Sequence, residues 1–261
     1  MSFHLQPATA PTAILSALAQ EQHGLIDLLQ QPRKLSHAGR DFWLGELHGQ
    51  PVVLALSKIG KVAAATTATA LIERLGVQRI VFTGVAGGLG EGVSVGDVVV
   101  ATDFVQHDLD ASPLFPRYEV PLYGRTRFQA DAALTALLFK AACAALASEP
   151  SGGQEAGAVQ SFPGARVHQG LIASGDRFVS GAEESRVLRD ALMAAGHPVL
   201  AVEMEGAAVA QVCQDYGLPF AAVRTISDRA DDSAHIDFPR FVDEVASRYA
   251  RLMVEQFLKT L

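Results

Sequence analysis

Acidic side chains stand at two points where an apolar run of the sequence ends. Glu203, Met204 and Glu205 follow the run VLAV, and Asp228 follows PFAAVRTIS, which carries Arg224. A carboxylic acid can donate a proton to a leaving group, and a carboxylate can accept a proton or stabilise positive charge. A single carboxylate at the end of a strand often only caps the next helix. Two such ends that converge around an arginine favour a binding or catalytic site.

The elements that position these residues are a strand, a helix and a second strand. The run VLAVEM is short and apolar, as in a buried strand, and GAAVAQVCQDY carries Ala and Val at helical spacing. Gly217 is expected to end the helix, and Pro219 to open the next strand. Arg224, Ser227 and Asp228 then lie toward the carboxyl end of that strand, the edge at which open α/β sheets bind ligands.

The motif VEMEGAAVAQVC followed by VRTISDRAD resembles the 5'-methylthioadenosine/S-adenosylhomocysteine nucleosidases of the nucleoside phosphorylase superfamily. SKIGKVAAA, TGVAGGL, VGDVVVA and SGDRFV occur in the same order, and the resemblance covers about residues 13 to 261. It implies a single-domain, three-layer α/β fold in which helices flank a central twisted mixed β-sheet. It also implies hydrolysis of the N-glycosidic bond of 5'-substituted adenosines to adenine and the thioribose, as in methionine salvage. No metal or organic cofactor is expected.

Breaking an adenine N-glycosidic bond needs an acid at the base, support for positive charge on the ribose, and an activated water. Asp228 is the candidate acid beside N7, a role that requires a pKa raised by an apolar site. Glu205, with Met204 packed beneath, fits the role of binding the ribose hydroxyls. By its position in the family, Glu21 is the base that activates water, and Arg224 is expected to help orient it. The family has a run of acids here, of which LAQE retains only Glu21.

The resemblance extends to residues around the substrate. The expected substrate-binding residues are Ile59, Val85, Phe178, Val179, Glu203, Met204, Ser227 and Phe238. Ile59 lines the ribose and alkylthio side, Phe178 stacks on the purine unless it is a core residue, and the backbone of Val179 reads the base edge. Phe238 caps the 5' substituent. Val85 stands where many nucleosidases have Ser or Thr, which weakens a phosphate site and removes one possible hydrogen bond to Glu21 or its water.

Three function classes remain open besides this nucleosidase. A purine nucleoside phosphorylase would attack with phosphate, but Glu21 would repel that dianion and the segment Gly-Asp-Pro-x-x-Arg is absent. A nucleosidase for another 5'-substituted adenosine, such as aminodeoxyfutalosine or an adenosyl lipid, is a further alternative, because only some of the motifs separate members of the superfamily. A non-catalytic nucleoside sensor is disfavoured because both Glu21 and Asp228 are present.

The composition of the chain limits the classes of partner that it can bind. The chain has 261 residues, of which 49% are hydrophobic and 19% charged, and its net charge of -7 argues against nucleic acid or an anionic membrane as partner. Cys143 and Cys213 lie in Ala/Val-rich contexts typical of reduced thiols. The first residues lack a basic start followed by an apolar run. These features predict a cytoplasmic protein with a small-molecule nucleoside substrate.

The loop at residues 104–123 is long and aromatic, as functional loops often are. Its run His107-Asp108-Leu109-Asp110 lacks a second histidine and a usable metal-ligand spacing, so structural pairing is favoured over a metal site. The resemblance implies a homodimer in which this loop completes the partner's active site through Leu114, Phe115 or Tyr118.

Local patterns predict further elements and the limits of the domain. Residues 1–12 are expected to form a flexible arm before a single domain at 13–261, with a surface loop insertion at 147–165. A turn at His48-Gly49-Gln50 predicts a β-hairpin. The other predicted strands are Ala13–Leu18, Gln78–Thr83, Val95–Ala101 and one ending at Ser174; the other predicted helices are Gln20–Gln30, the segment VAAATTATALIERLG, Asp131–Leu146 and Phe241–Leu258.

Overall fold

The computed structural model describes residues 10–148, 162, 164–230 and 241–261, without the side chains of residues 243 and 244. The predicted arm and insertion therefore lie mostly outside the described residues, and Phe238 lies outside them altogether. Ten strands are described: β1 Thr12–Ser16, β2 Gln30–His37, β3 Arg40–Leu47, β4 Gln50–Leu56, β5 Arg79–Gly88, β6 Val98–Gln106, β7 Arg127–Gln129, β8 Val167–Ser174, β9 Val199–Glu203 and β10 Phe220–Asp228. Five α-helices accompany them: α1 Lys61–Leu75, α2 Ala132–Ala147, α3 Ala182–Ala194, α4 Gly206–Tyr216 and α5 Ser247–Leu258.

The strands form one mixed sheet that closes on itself at one end. β2, β3 and β4 are antiparallel, and β4, β1, β5 and β10 run parallel in that order. β10 then pairs antiparallel with β6, which is followed by the parallel strands β8 and β9. β9 returns to β5 through Gly87–Val202 and Gly88–Ala201, so β5, β10, β6, β8 and β9 form a ring. All nine residues of β10 are buried, as expected for a strand covered on both faces.

The ring closes where β5 has two glycines and no side chains. A Cβ on Gly87 would lie 2.9 Å from the Cβ of Ala230, and one on Gly88 would lie 3.2 Å from Cγ2 of Ile226. Such distances leave no room for a side chain, because packed carbon atoms sit about 3.5–4 Å apart. The cluster Gly84–Gly88 therefore continues the strand against β9 and β10.

Helices cover the sheet on both sides. α1 packs on α4, and α2 packs on α5. One apolar cluster includes Leu71 of α1 and Val209 of α4, and a separate cluster includes Leu138 of α2 and Phe257 of α5. The predicted three-layer α/β fold is confirmed. No described helix is long and apolar enough to span a bilayer.

The predicted helix at Gln20–Gln30 is wrong. Two short 3₁₀ turns, Gln20–Gln22 and Ile26–Leu28, occupy this segment, and β2 already begins at Gln30. Gly24 has a φ of +79°, a left-handed conformation that interrupts a right-handed helix. The side chain of Gln22 also donates to the carbonyls of Ile14 and Ala55, which fixes the turn against β1 and β4.

Other local predictions are confirmed, with shifted ends. The hairpin β3–β4 turns at His48 and Gly49, whose φ values are 52° and 75°, and Gly217 ends α4 with a φ of 62°. β5 extends five residues beyond the predicted Thr83, and β6 begins at Val98 and runs to Gln106. Residues 104–106 of the predicted loop are therefore strand. A π-helical turn at Val242–Ala246 leads into α5.

Candidate active site

A cavity of about 430 Å³ opens at the carboxyl ends of the central parallel strands. Its volume falls within the range of small-ligand sites. The lining residues come from six segments: Ala17, Leu18, Glu21, Ile59, Val85, Ala86, Gly87, Arg177, Phe178, Val179, Val202, Glu203, Met204, Glu205, Ser227 and Asp228. Every predicted site residue lines the cavity except two. Arg224 is buried and does not line it, and Phe238 lies outside the described residues. The structure therefore brings together residues up to 207 positions apart, from Glu21 to Asp228.

Glu21 is a buried carboxylate fixed between β1 and β5. Its Oε2 accepts hydrogen bonds from the backbone N–H groups of Ala17 at 2.8 Å and Leu18 at 2.9 Å, and its Oε1 accepts one from Val85 at 3.1 Å. Burial raises the pKa of Glu21, opposed by these hydrogen bonds and by the charge of Arg224. A Cβ at position 84 would lie 2.9 Å from Oε1, so Gly84 gives the carboxylate its space.

Val85 serves Glu21 through its backbone. Its side chain lines the cavity and has no hydroxyl group, while its N–H donates to Glu21. A hydroxyl at this position is therefore not needed to hold the carboxylate, because strand β5 supplies a main-chain donor.

Glu203 forms a buried ion pair with Arg224. The distance from Nη2 of Arg224 to Oε2 of Glu203 is 2.8 Å, and the two side chains are 1% and 3% exposed. Nη1 of Arg224 also donates to the carbonyl of Phe82 at 3.1 Å, and the guanidinium lies 4.1 Å from the centre of the Phe82 ring. Arg224 thus acts on Glu21 through its charge, since its described hydrogen bonds go elsewhere.

Glu203 also fixes the start of helix α4. Its two oxygens accept hydrogen bonds from the N–H of Gly206 at 3.0 and 2.8 Å, and Oε2 accepts one from the N–H of Glu205 at 3.2 Å. The hydroxyl of Ser174 donates to Oε1. The helix-capping role that the sequence leaves open for a carboxylate at a strand end is therefore performed by Glu203.

Glu205 faces the cavity with fewer partners. It occupies the N-cap position of α4 without a side-chain capping bond, and its Oε1 instead accepts from the N–H of Gly60 at 2.9 Å. Burial raises the pKa of Glu205 to about 8, and the negative charge of Glu203 adds to this shift. A carboxyl group that is neutral near pH 7 can donate as well as accept a hydrogen bond, which suits a group that binds hydroxyls.

Asp228 ends strand β10 beside the glycines of β5. Its Oδ2 accepts from the hydroxyl of Ser227 at 2.7 Å, and its Oδ1 accepts from the N–H of Ala230 at 2.7 Å. A Cβ on Gly87 would lie 3.1 Å from Oδ1, so the glycine brings strand β5 close to the carboxyl group. In the sheet, β5 separates Asp228 on β10 from Glu21 after β1.

The remaining walls are mostly apolar. Phe178 is 45% exposed, Ile59 is 56% exposed and Val179 is buried. Arg177 lines the mouth, and its Nε lies 2.7 Å from Oε1 of Glu184 on α3. A half-exposed aromatic ring at a cavity mouth can stack on a flat ligand.

Six lining residues are not among the predicted site residues: Ala17, Leu18, Ala86, Gly87, Arg177 and Val202. The position of Arg177, next to Phe178 in SGDRFV, is the one signal available for it. Ala17 and Leu18 contribute backbone N–H groups to Glu21, which no side-chain pattern reveals.

No group of three or more His, Cys, Asp or Glu side chains in the described part of the chain could hold a metal ion. Asp108, from the HDLD run, pairs with Lys61 at 2.6 Å.

Comparisons with known proteins converge on one family. A sequence model of the phosphorylase superfamily matches residues 11–259. The 5'-methylthioadenosine/S-adenosylhomocysteine nucleosidase of Bacillus thuringiensis (strain Al Hakam) is 35% identical over 248 residues, covering 93% of this chain and 96% of the relative. The nucleosidase of the same name from Neisseria meningitidis, solved in complex with methylthio-immucillin-A, superposes with a TM-score of 0.83 at 36% identity, covering 97% of this chain and all of the other. The futalosine hydrolase of Helicobacter pylori strain 26695 superposes with a TM-score of 0.82 at 31% identity, covering 97% and 99%.

Proposed function

The chain belongs to the phosphorylase superfamily, and we propose that within it the protein is a nucleosidase for 5'-substituted adenosines. The substrates are 5'-methylthioadenosine and S-adenosylhomocysteine, the compounds in the names of its relatives. The products are adenine and the corresponding thioribose. One observation carries the choice of hydrolysis: the cavity contains the buried carboxylate of Glu21, while the buried cation Arg224 is already paired with Glu203.

Asp228 acts on the leaving base. A purine leaves more readily when N7 is protonated or hydrogen-bonded, and an acid beside N7 supplies that proton. The hydroxyl of Ser227 and the N–H of Ala230 fix the two oxygens of Asp228 at 2.7 Å each. Phe178 and the backbone of Val179 hold the purine plane and its edge, at the mouth and the wall of the same cavity.

Glu205 and Met204 hold the ribose. As the bond from C1' to the purine lengthens, positive charge develops on the sugar ring; this charge favours the ionised form of Glu205, and the carboxylate in turn stabilises it. Glu205 is fixed by the Gly60 N–H, and its remaining oxygen is directed to ribose hydroxyls. Ile59 covers the 5' side, and Phe238, outside the described residues, is assigned to the 5' substituent.

Glu21 activates the water. The water oxygen attacks C1', Glu21 accepts its proton, and the electrons of the broken bond remain with adenine, which takes its proton from Asp228. The raised pKa of Glu21 makes it a stronger base than a carboxylate in water. Its three backbone hydrogen bonds keep it in one orientation, and the nearby Arg224 favours its charged form.

A second candidate is a nucleosidase whose preferred substrate carries a different 5' group. The structural likeness to a futalosine hydrolase, at 31% identity, favours this option over a phosphorylase. Both nucleosidases would use Glu21, Glu205 and Asp228, so they differ only in the walls that face the 5' substituent. A phosphorylase would need to place a phosphate dianion beside Glu21, which costs electrostatic energy.

The test is adenine release from 5'-methylthioadenosine in phosphate-free buffer and again with added phosphate, with the sugar product identified each time. We expect methylthioribose at the same rate in both buffers. Methylthioribose 1-phosphate would assign the protein to the phosphorylases instead. A turnover much faster with futalosine or aminodeoxyfutalosine than with 5'-methylthioadenosine or S-adenosylhomocysteine would establish the second candidate.

We assign a homodimer, with the active site completed by the partner's loop at 104–123. Large exposed apolar side chains support this assignment: Leu114 is 84% exposed and Leu122 is 91% exposed in the loop, and Val62 is 78% exposed near Ile59. Exposed apolar groups of this kind mark interaction surfaces when they lie together. Light scattering at micromolar concentration tests the assignment, which a monomer would contradict.

The proposed compartment is the cytoplasm, and the proposed pathway is methionine salvage. Cys143 and Cys213 are free thiols in the structure, as is typical of proteins in a reducing cytoplasm. Release of adenine and methylthioribose from 5'-methylthioadenosine would serve methionine salvage. Accumulation of 5'-methylthioadenosine in cells that lack this protein is the measurement that tests the pathway.

A further inference from the structure

One lysine joins three segments that meet beside the cavity. Nζ of Lys61, at the start of α1, donates to Oδ1 of Asp108 at 2.6 Å and to Oε1 of Gln106 at 3.2 Å. Its backbone N–H donates to Oδ1 of Asp176 at 2.7 Å, and the N–H of Asp176 donates to Oδ2 of Asp108 at 2.8 Å. We call Lys61, Gln106, Asp108 and Asp176 the Lys61 network. It lies outside the set of cavity-lining residues.

The Lys61 network is attached to both walls that hold the proposed substrate. Gly60, directly before Lys61, donates its N–H to Glu205, the carboxyl group assigned to the ribose. Asp176 is followed after one residue by Phe178 and then Val179, which are assigned to the base. A displacement of Lys61 relative to Asp176 would therefore change the spacing between the ribose-binding and base-binding groups.

The network depends on the charge of the lysine. Burial is the largest influence on the pKa of Asp108 and raises it, but the hydrogen bonds from Lys61 and from the N–H of Asp176, together with the charge of Lys61 and a weaker contribution from His107, lower it overall. Asp176 is also acidic, and its Oδ2 lies 3.9 Å from Nζ of Lys61. Without the ammonium group, two neighbouring carboxylates would repel each other, since like charges in a partly buried site are weakly screened.

We propose that Lys61 is a positioning residue that sets the distance between the ribose-binding Glu205 and the base-binding segment Phe178–Val179. It acts through Gly60 on one side and through Asp108 and Asp176 on the other, and it does not touch the substrate. This proposal rests on the proposed nucleosidase function. A misplacement of binding groups by about 1 Å can reduce the rate about a hundredfold, so the effect falls on turnover as well as on binding.

The test uses Lys61→Met, which keeps the length and the backbone N–H of the residue but removes the charge. We expect kcat for 5'-methylthioadenosine to fall between about tenfold and a hundredfold. We also expect the Kd of adenine, measured by calorimetry, to rise about tenfold, because the base-binding segment loses its anchor. The matched control is Lys58→Met, an exposed lysine in the same loop, with kcat and Kd within about twofold of the wild type.

Two further variants separate positioning from a general loss of stability. Lys61→Arg keeps the charge and is expected to keep kcat within about threefold of the wild type. Asp108→Asn added to Lys61→Met removes the repulsion between the carboxylates and is expected to recover at least about threefold of the lost kcat. Lys61→Met with unchanged kcat and adenine affinity would overturn the proposal. So would equal losses in all three Lys61-network variants.

Failure of this proposal is distinguishable from failure of the proposed function. If the wild type releases no adenine from any 5'-substituted adenosine, the function is wrong. If the wild type is active and Lys61→Met behaves as Lys58→Met does, only the positioning role is wrong. Calorimetry with adenine measures the base-binding wall independently of turnover.

Discussion

Glu203 and Glu205 lie two residues apart on either side of Met204, and both are buried, yet their surroundings differ. Glu203 pairs with Arg224 and accepts further hydrogen bonds from Ser174 and from backbone N–H groups of helix α4. Glu205 accepts one described hydrogen bond, from Gly60, and its pKa is raised to about 8. The first carboxylate is satisfied by the protein, while the second has an oxygen left for a ligand.

The difference shows how one strand end provides both support and chemistry. Strand β9 points Glu203 toward the buried Arg224, where the pair connects β9 to β10 across the ring. Glu205 begins helix α4 on the cavity side. A buried charge left without its partner destabilises the fold, whereas a neutral carboxyl group in an open cavity costs much less. The two residues are therefore expected to respond to the same substitution in opposite ways.

The largest expected effect is on stability, from Glu203→Gln. The variant leaves the guanidinium of Arg224 buried without a countercharge, so we expect the free energy of unfolding to fall by about 3–5 kcal/mol. Urea unfolding followed by circular dichroism measures this change. The control is Glu183→Gln on the surface of α3, where loss of the exposed pair with Arg186 is expected to leave the free energy of unfolding nearly unchanged. Equal, small losses for both variants would show that the buried pair does not support the ring.

The next largest effect is on catalysis, from Asp228→Asn. An amide cannot supply the proton that the leaving adenine needs, so we expect kcat to fall about a thousandfold while KM stays within about fivefold. Steady-state kinetics with 5'-methylthioadenosine measures both values. The matched control, Asp215→Asn at the exposed end of α4, should leave kcat unchanged. Turnover near the wild-type value in Asp228→Asn would remove this residue from the acid role.

Glu205→Gln should affect activity without lowering stability. The glutamine cannot provide the negative charge that stabilises the ribose in the transition state, so we expect kcat/KM to fall about a hundredfold. The free energy of unfolding should stay the same or rise, because a neutral amide replaces a carboxyl group whose ionised form is costly to bury. Kinetics and urea unfolding of the same preparation test both parts. A loss of stability like that of Glu203→Gln would abolish the distinction between the two carboxylates.

The contrast between Glu203 and Glu205 is not visible in the sequence. The run VLAVEMEG predicts a buried strand with acids at its end. Apolar periodicity and Gly217 predict the helix that follows, and both acids line the same cavity. Which acid meets Arg224 depends on the closure of the ring at Gly87 and Gly88, a pairing between distant segments. Local patterns carry no information on such pairings, because they are decided by tertiary packing.

The same limit explains the error at Gln20–Gln30 and the missing Lys61 network. Leu25 and Leu29 have helical spacing and are buried, but they are buried by short turns on either side of Gly24. The resemblance to the nucleosidases predicts that Glu21 faces the binding site, and Glu21 lines the cavity although the predicted helix around it is absent. Lys61 and Asp108 are 47 positions apart, and no spacing rule connects them.

The last expected effect is the pH dependence of stability that Glu205 contributes. Its pKa in the folded protein is about 8, above the ordinary value of 4.5, so between these values the folded state binds more protons than the unfolded state. Stability from this group is therefore complete below about pH 4.5 and is lost as the pH rises to about 8, by at most about 1.4 kcal/mol per pH unit.

Urea unfolding of the wild type and Glu205→Gln at pH 5, 6, 7 and 8 isolates the contribution. Glu21, whose pKa is also raised by burial, remains in both proteins, and its negative charge contributes to the raised pKa of Glu205. We expect the wild type to lose stability relative to Glu205→Gln across this range, and parallel curves would show that Glu205 is already ionised in the empty cavity.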